Sequence, residues 1–176
     1  MEQISEKTYW NDYTNVYAHH RRYMKKVMAQ GVFDILHPGH IHYLSKSAQL
    51  GDELHVVIAR DSRVRNKKDI FMGEDERKQV VESIEVVDSV ILGSEGDLFD
   101  SVQKIKPNVI TIGHDQSFDI ESLEEQLEER GFPGIEVIRI NRYERNGLQS
   151  SSEIKKNIQD KIGGEIFFSK KERPID

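Results

Sequence analysis

One stretch limits what this chain can become: Gly31-Val-Phe-Asp-Ile-Leu-His-Pro-Gly-His40 and the amphipathic run behind it. Val27 and Met28 bring an apolar lead-in up to Gly31 as a short buried strand. Pro38 and Gly39 break it, and Ile41, Leu44 and Ala48 then recur at helical spacing. His37 and His40 therefore flank a tight turn where a strand hands over to a helix. A helix N-terminus presents unpaired N–H groups and partial positive charge. In an open α/β sheet, ligands lie beyond the carboxyl ends of the strands. Two imidazoles beside such a site can donate hydrogen bonds to phosphate oxygens. The plainer alternative is that a histidine near a helix start caps or packs, as expected of His42 and His55. A metal set of His37, His40 and His42 is disfavoured, because the spacing matches no structural zinc pattern.

From Lys25 onward strand and helix signals alternate. Residues 54–59, 88–92, 109–112 and 135–140 read as further strands, and 74–84, 98–105, 119–130 and 150–162 as helices. The pattern predicts an α/β, Rossmann-like, doubly wound parallel sheet of five strands in the order 3-2-1-4-5, with helices on both faces. The first and fourth strands are then neighbours across the switch-point crevice, which gathers His37, His40 and the turn Gly113-His114-Asp115-Gln116 around one pocket. The expected organisation is an N-terminal extension at 1–24, a single domain at 25–162 and a charged tail at 163–176. The extension reads as a helix with Tyr9, Trp10, Tyr13 and Tyr17 along one face.

Composition narrows the function classes. A formal charge of -6 over 176 residues argues against a nucleic-acid surface but leaves room for a small basic phosphate pocket. The absence of cysteine excludes disulfides and thiolate sites. No apolar run approaches a membrane span and no signal-peptide pattern opens the chain, so the expected location is the cytoplasm.

Two further stretches suit anions. Arg60, Arg63, Arg65, Lys67 and Lys68 read either as a solvated charge run or as a flexible clamp over a triphosphate, within a mobile basic loop at 62–73. Ser150, Ser151 and Ser152 stand at a helix start, where one serine serves as an ordinary cap and three in succession suit an anion. Asp34, the nearest carboxylate, contacts either a metal's water shell or the turn itself. There is no G-x-x-x-x-G-K-[ST] loop and no G-x-G-x-x-G after the first strand.

These stretches carry a resemblance. His37-Pro38-Gly39-His40 fits the HxGH signature, and with Gly31-Val-Phe-Asp-Ile-Leu-His the chain resembles the cytidylyltransferase-like branch of the nucleotidyltransferases. The resemblance implies that His37 and His40 stabilise charge on the α-phosphate of a nucleoside triphosphate, with Lys67 and Lys68 as catalytic cations. It implies nucleotide contacts from Gly31, Val32, Phe33, Gly39 and His40, and from Gly113, Asp115 and Gln116. Arg77, in Glu76-Arg-Lys-Gln-Val80, matches an E-R-x-x-V element that is either phosphate-binding or structural. Ser150-Ser151-Ser152-Glu153-Ile154 resembles the S-[ST]-[ST]-x-I motif that binds β- and γ-phosphates. Glu153 replaces its usual basic residue, which is tolerable if that side chain faces solvent. Mg²⁺ is implied as companion of the triphosphate, with no protein metal site.

Gly51-Asp-Glu-Leu54, Asp88-Ser-Val-Ile-Leu-Gly93, Lys106-Pro-Asn-Val-Ile110, Gly113-His-Asp-Gln-Ser-Phe-Asp119 and Arg139-Ile-Asn-Arg-Tyr-Glu-Arg145 are similar to the archaeal FAD synthetases. That implies transfer of AMP from ATP to FMN by a homodimer, with no nucleic-acid or membrane partner. Two departures, His114 in place of Tyr and a missing cysteine before the serine motif, touch the acceptor. The alternatives are a CTP-dependent glycerol-3-phosphate cytidylyltransferase and a nucleotide-binding regulator without turnover. The turn 113–116 and the loop 141–149 are expected to choose between substrates.

Overall fold

Strands covered on both faces need continuous apolar runs, and the chain supplies them at 27–29, 56–58 and 109–112. In a computed structural model, which describes residues 24–64, 69–144 and 150–162, these runs form the centre of a five-stranded parallel sheet. In chain order the elements are β1 (Lys26–Gly31), α1 (Pro38–Ala48), β2 (Glu53–Ile58), α2 (Asp61–Val64), α3 (Glu74–Glu82) and β3 (Ser89–Leu92). There follow α4 (Phe99–Ile105), β4 (Val109–Ile112), α5 (Ile120–Glu129), β5 (Glu136–Arg139) and α6 (Ser151–Ile162). The strand order is β3-β2-β1-β4-β5, as the sequence predicts.

Alternation along the strands divides the core. Val27, Ala29, Val56 and Ile58 pack with Leu44 of α1 and Val81 of α3. Met28, Val57, Ile110 and Ile112 face Val102 and Ile105 of α4 and Leu123 and Leu127 of α5. Two helices thus cover each face. β1 pairs β2 from Lys26↔Glu53 to Gly31↔Ile58 and pairs β4 from Val27↔Val109 to Ala29↔Thr111. The carboxyl ends of β1 and β4 therefore open together. Tyr43 of α1 fastens this corner: its hydroxyl donates to Thr111 O at 2.8 Å and accepts Gln30 N–H at 3.2 Å. Burial pushes that phenol up to about 12.

The expected loop at 62–73 is held in place at both of its described ends. Its first residues belong to the helical turn α2, and residues 69–72 are held by side chains named below. The helix at 74–84 stops at Glu82, with Ser83 as its C-cap. Lys67, Lys68 and the aromatic face of the N-terminal extension lie outside the described residues, as does the charged tail. Among the described residues, no helix is long and apolar enough to cross a membrane.

Candidate active site

The turn after β1 is built from its own residues. Phe33 adopts φ 54°, rare for a side-chain-bearing residue, and is 2% exposed. Its ring folds back over Gly31, where a Cβ would lie 2.7 Å from Phe33 Cε2. Gly31, Val32 and Phe33 thus shape the turn, and the Phe33 ring sits 5.2 Å from the His40 ring. Pro38 occupies the start of α1, and His37 precedes it in extended conformation without a side-chain cap bond. No carboxylate lies in the first turn of α1. Pro38 has no N–H and His40 N–H donates to His37 O at 2.9 Å, so an external anion would meet the N–H of Gly39 at this end of α1.

His37 and His40 face each other, with ring centroids 3.8 Å apart and planes 26° from parallel. Burial pushes His40 down to about 4 from the ordinary 6.5, and neighbouring His37 adds to the effect. Asp115, the backbone of Ile35 and Asp34 oppose it. Burial also lowers His37, against the pull of Asp115 and Glu153. Both rings are thus neutral near pH 7 and act as uncharged donors. Among the described residues, neither Nδ1 has a hydrogen-bond partner, although both are sealed from solvent. Such orphaned polar atoms are uncommon and call for a functional reason.

The β4 turn comes to the same place. Gln116 accepts Gly113 N–H at 3.1 Å and donates to Gln30 O at 3.1 Å, closing the crevice between β1 and β4. Arg139 at the end of β5 donates to Gly113 O and Gln116 O at 3.1 and 2.7 Å, and also to Phe118 O. Gly113 and Gln116 are therefore spent on the turn, while exposed Asp115 exerts its charge on both histidines.

The serines divide their tasks. Ser150 Oγ accepts Glu153 N–H at 3.1 Å, and Glu153 accepts Ser150 N–H at 3.2 Å, a reciprocal cap on α6. Exposed Glu153 thus serves the cap, which explains its tolerance here. Ser151 Oγ donates to Ile35 O at 3.3 Å, bringing α6 against the histidine turn, and Ser152 is exposed. Asp34 takes the backbone role rather than a metal role. Its Oδ1 accepts Phe71 N–H at 2.8 Å and Met72 N–H at 3.1 Å, and Lys155 Nζ lies 2.9 Å from Oδ2.

Three basic residues are engaged by groups of the chain itself. Arg77 is fully buried and donates to Val32 O, Ala59 O, Met72 O and Asp61. The phosphate-binding expectation for Arg77 is corrected accordingly: a guanidinium committed to three carbonyls and a carboxylate is a brace. Arg60 binds Gly93 O and Glu74, and Arg63 binds Gly96 O, so neither belongs to a clamp. Sequence reading missed Arg139 and Lys155. The signal for Lys155 was its i+4 spacing from Ser151, which puts both on one helical face.

Two grooves border these elements. One, of about 510 Å³, is walled by Asp61, Glu74, Asp75, Glu76 and Glu95, the wrong charge for a triphosphate. The other, of about 560 Å³, opens beside His37 between Leu36, Ile41, His42 and Tyr143, with the His42 and Tyr143 rings 5.2 Å apart. Aromatic walls of this kind suit a flat heterocycle.

Residues 28–157 match the family described as cytidylyltransferase-like. The FAD synthase of Methanolacinia petrolearia is 48% identical over 135 residues, 77% of this chain and 90% of that protein. The FAD synthase of Thermoplasma volcanium is 47% identical over 141 residues, 80% of this chain and 98% of that protein. A crystal structure from Thermoplasma volcanium, described as a lipopolysaccharide core biosynthesis protein, superposes with a TM-score of 0.67 at 48% identity. It covers 69% of this chain and 99% of its own.

Proposed function

This chain belongs to the cytidylyltransferase-like family, and on that premise we propose that it transfers AMP from ATP to FMN, giving FAD and pyrophosphate. The observation that carries the reading is the neutral His37–His40 pair at the open end of α1, in a chain nearly half identical to FAD synthases. A phosphate oxygen of FMN attacks the α-phosphorus of ATP. The new P–O bond forms as the bond to the bridging oxygen breaks, and pyrophosphate leaves with that electron pair. Such chemistry requires positioning and charge stabilisation rather than a covalent enzyme intermediate.

In this reading His37 and His40 donate N–H groups to the α-phosphate oxygens as negative charge grows there. The N-terminus of α1 at Gly39 adds its backbone dipole. Ser152, with the backbone N–H groups at the start of α6, takes the β- and γ-phosphates, and Lys67 and Lys68 complete the cationic surround. The adenine enters the groove that Leu36, Ile41, His42 and Tyr143 line. Mg²⁺ would accompany ATP and would supply neutralisation of the triphosphate charge. Asp34, which accepts two backbone N–H groups and faces the Lys155 ammonium, does not fit as its ligand. The reading also carries a homodimer working in the cytoplasm, the first of which sedimentation velocity tests.

The functional test is a matrix of ATP and CTP against FMN, glycerol 3-phosphate and a sugar phosphate, read as pyrophosphate release and product mass. FAD from ATP and FMN alone is expected. CTP-dependent product from glycerol 3-phosphate, with none from ATP and FMN, overturns the assignment.

A further inference from the structure

We infer that Lys155 is a positioning residue that registers the serine turn of α6 against the histidine turn of α1 through Asp34. The inference rests on the reaction proposed above but concerns a residue that reaction does not otherwise use.

Five contacts converge on this point. Lys155 Nζ lies 2.9 Å from Asp34 Oδ2, donates to Asp69 O, and stands 4.8 Å from the centroid of the Phe71 ring. Asp34 in turn holds the N–H groups of Phe71 and Met72. One ammonium thus ties three pieces of chain that no secondary structure connects: α6, the β1–α1 turn and residues 69–72. Asp34 stands three residues before His37, and its charge reaches His40. Lys155 lies one turn beyond Ser151, whose hydroxyl bonds the same turn at Ile35 O. The Lys155 and Asp34 side chains are 20% and 5% exposed, so the pair is largely withdrawn from solvent screening.

A displacement of about 1 Å between groups that must act together can cost on the order of 100-fold in rate. The α6 turn and the histidine turn come from opposite ends of the domain sequence. Their relative placement depends on side-chain ties, and among the described residues Lys155–Asp34 is a close ion pair between them.

The test separates position from stability. Lys155→Met, Lys155→Arg and the double variant Asp34→Asn/Lys155→Met are compared with the full-length wild type for kcat, KM for ATP and urea midpoint. Asparagine retains an oxygen for the Phe71 and Met72 N–H groups but removes the stranded charge. Lys155→Met should lower kcat by about 10- to 100-fold and lower the urea midpoint, with Lys155→Arg restoring most of both. The double variant should recover the midpoint yet keep the low kcat. Recovery of kcat together with the midpoint would reduce the pair to a stabilising contact. A rise in KM for ATP at unchanged kcat would make Lys155 a substrate contact instead. Should Lys155→Met be too unstable to assay, the double variant alone decides. A wild type that forms no FAD refutes the proposed reaction, whereas an active wild type with unaffected variants refutes this role.

Discussion

The imidazoles of His37 and His40 stack with centroids 3.8 Å apart, a distance at which two protonated rings would repel strongly. The arrangement is consistent only with neutral rings, or with one charge at most. Burial acts in the same direction on both. The pair is thus an uncharged donor set until a phosphate arrives to supply negative charge.

The pH dependence follows from His40, whose folded value of about 4 lies below the ordinary 6.5. The unfolded chain binds that proton more readily, so stability is fully present above pH 6.5 and declines as pH falls toward 4. The size is on the order of 3 kcal/mol from 1.36 kcal/mol per unit. Urea titrations from pH 7.5 to 4 should show this slope, and His40→Gln should flatten it. Imidazole resonances of His40 titrating near 6.5 in the free protein would contradict the premise.

Arg77 should behave as a brace. Arg77→Met strands Asp61 and three carbonyls, and breaking such a buried pair costs about 3–5 kcal/mol. The urea midpoint is expected to fall sharply, and Arg77→Lys should recover only part of it because the fork is lost. A well-folded Arg77→Met protein whose sole defect is a weakened grip on ATP would restore the phosphate-binding expectation.

The aromatic groove should choose the base. Tyr143→Ala should raise KM for ATP about tenfold, within the 1–3 kcal/mol typical of a base stacked on an aromatic ring, and leave KM for FMN nearly unchanged. Steady-state kinetics with each substrate varied decides it. A selective rise in KM for FMN would give the groove to the flavin.

How much of this was written in the sequence depends on the kind of interaction. The sheet order was legible because apolar runs at 27–29, 56–58 and 109–112 alternate with helical periods, and parallel crossovers leave few topologies. The histidine turn was legible because Pro38 and Gly39 mark the strand–helix junction. Arg77 was not. A buried guanidinium and a phosphate-binding one have the same letter, and only carbonyls from Val32, Ala59 and Met72 converging in space distinguish them. Arg139 was hidden for the same reason, since its partner Gly113 is distant in sequence. The roles of Arg60 and Arg63 were hidden too, since the carbonyls of Gly93 and Gly96 that they satisfy lie 33 residues away.

The central claim is that His40 stabilises charge that appears only as pyrophosphate departs. It is tested most directly by His40→Ala, with single-turnover FAD formation measured beside ATP affinity. A donor of this kind contributes about 3–4 kcal/mol in the transition state and less in the ground state. The account predicts a fall of about 100-fold or more in the rate, with the dissociation constant for ATP changed by less than about threefold. A His40→Ala enzyme that turns over at the wild-type rate, or loses only ATP affinity, would contradict it.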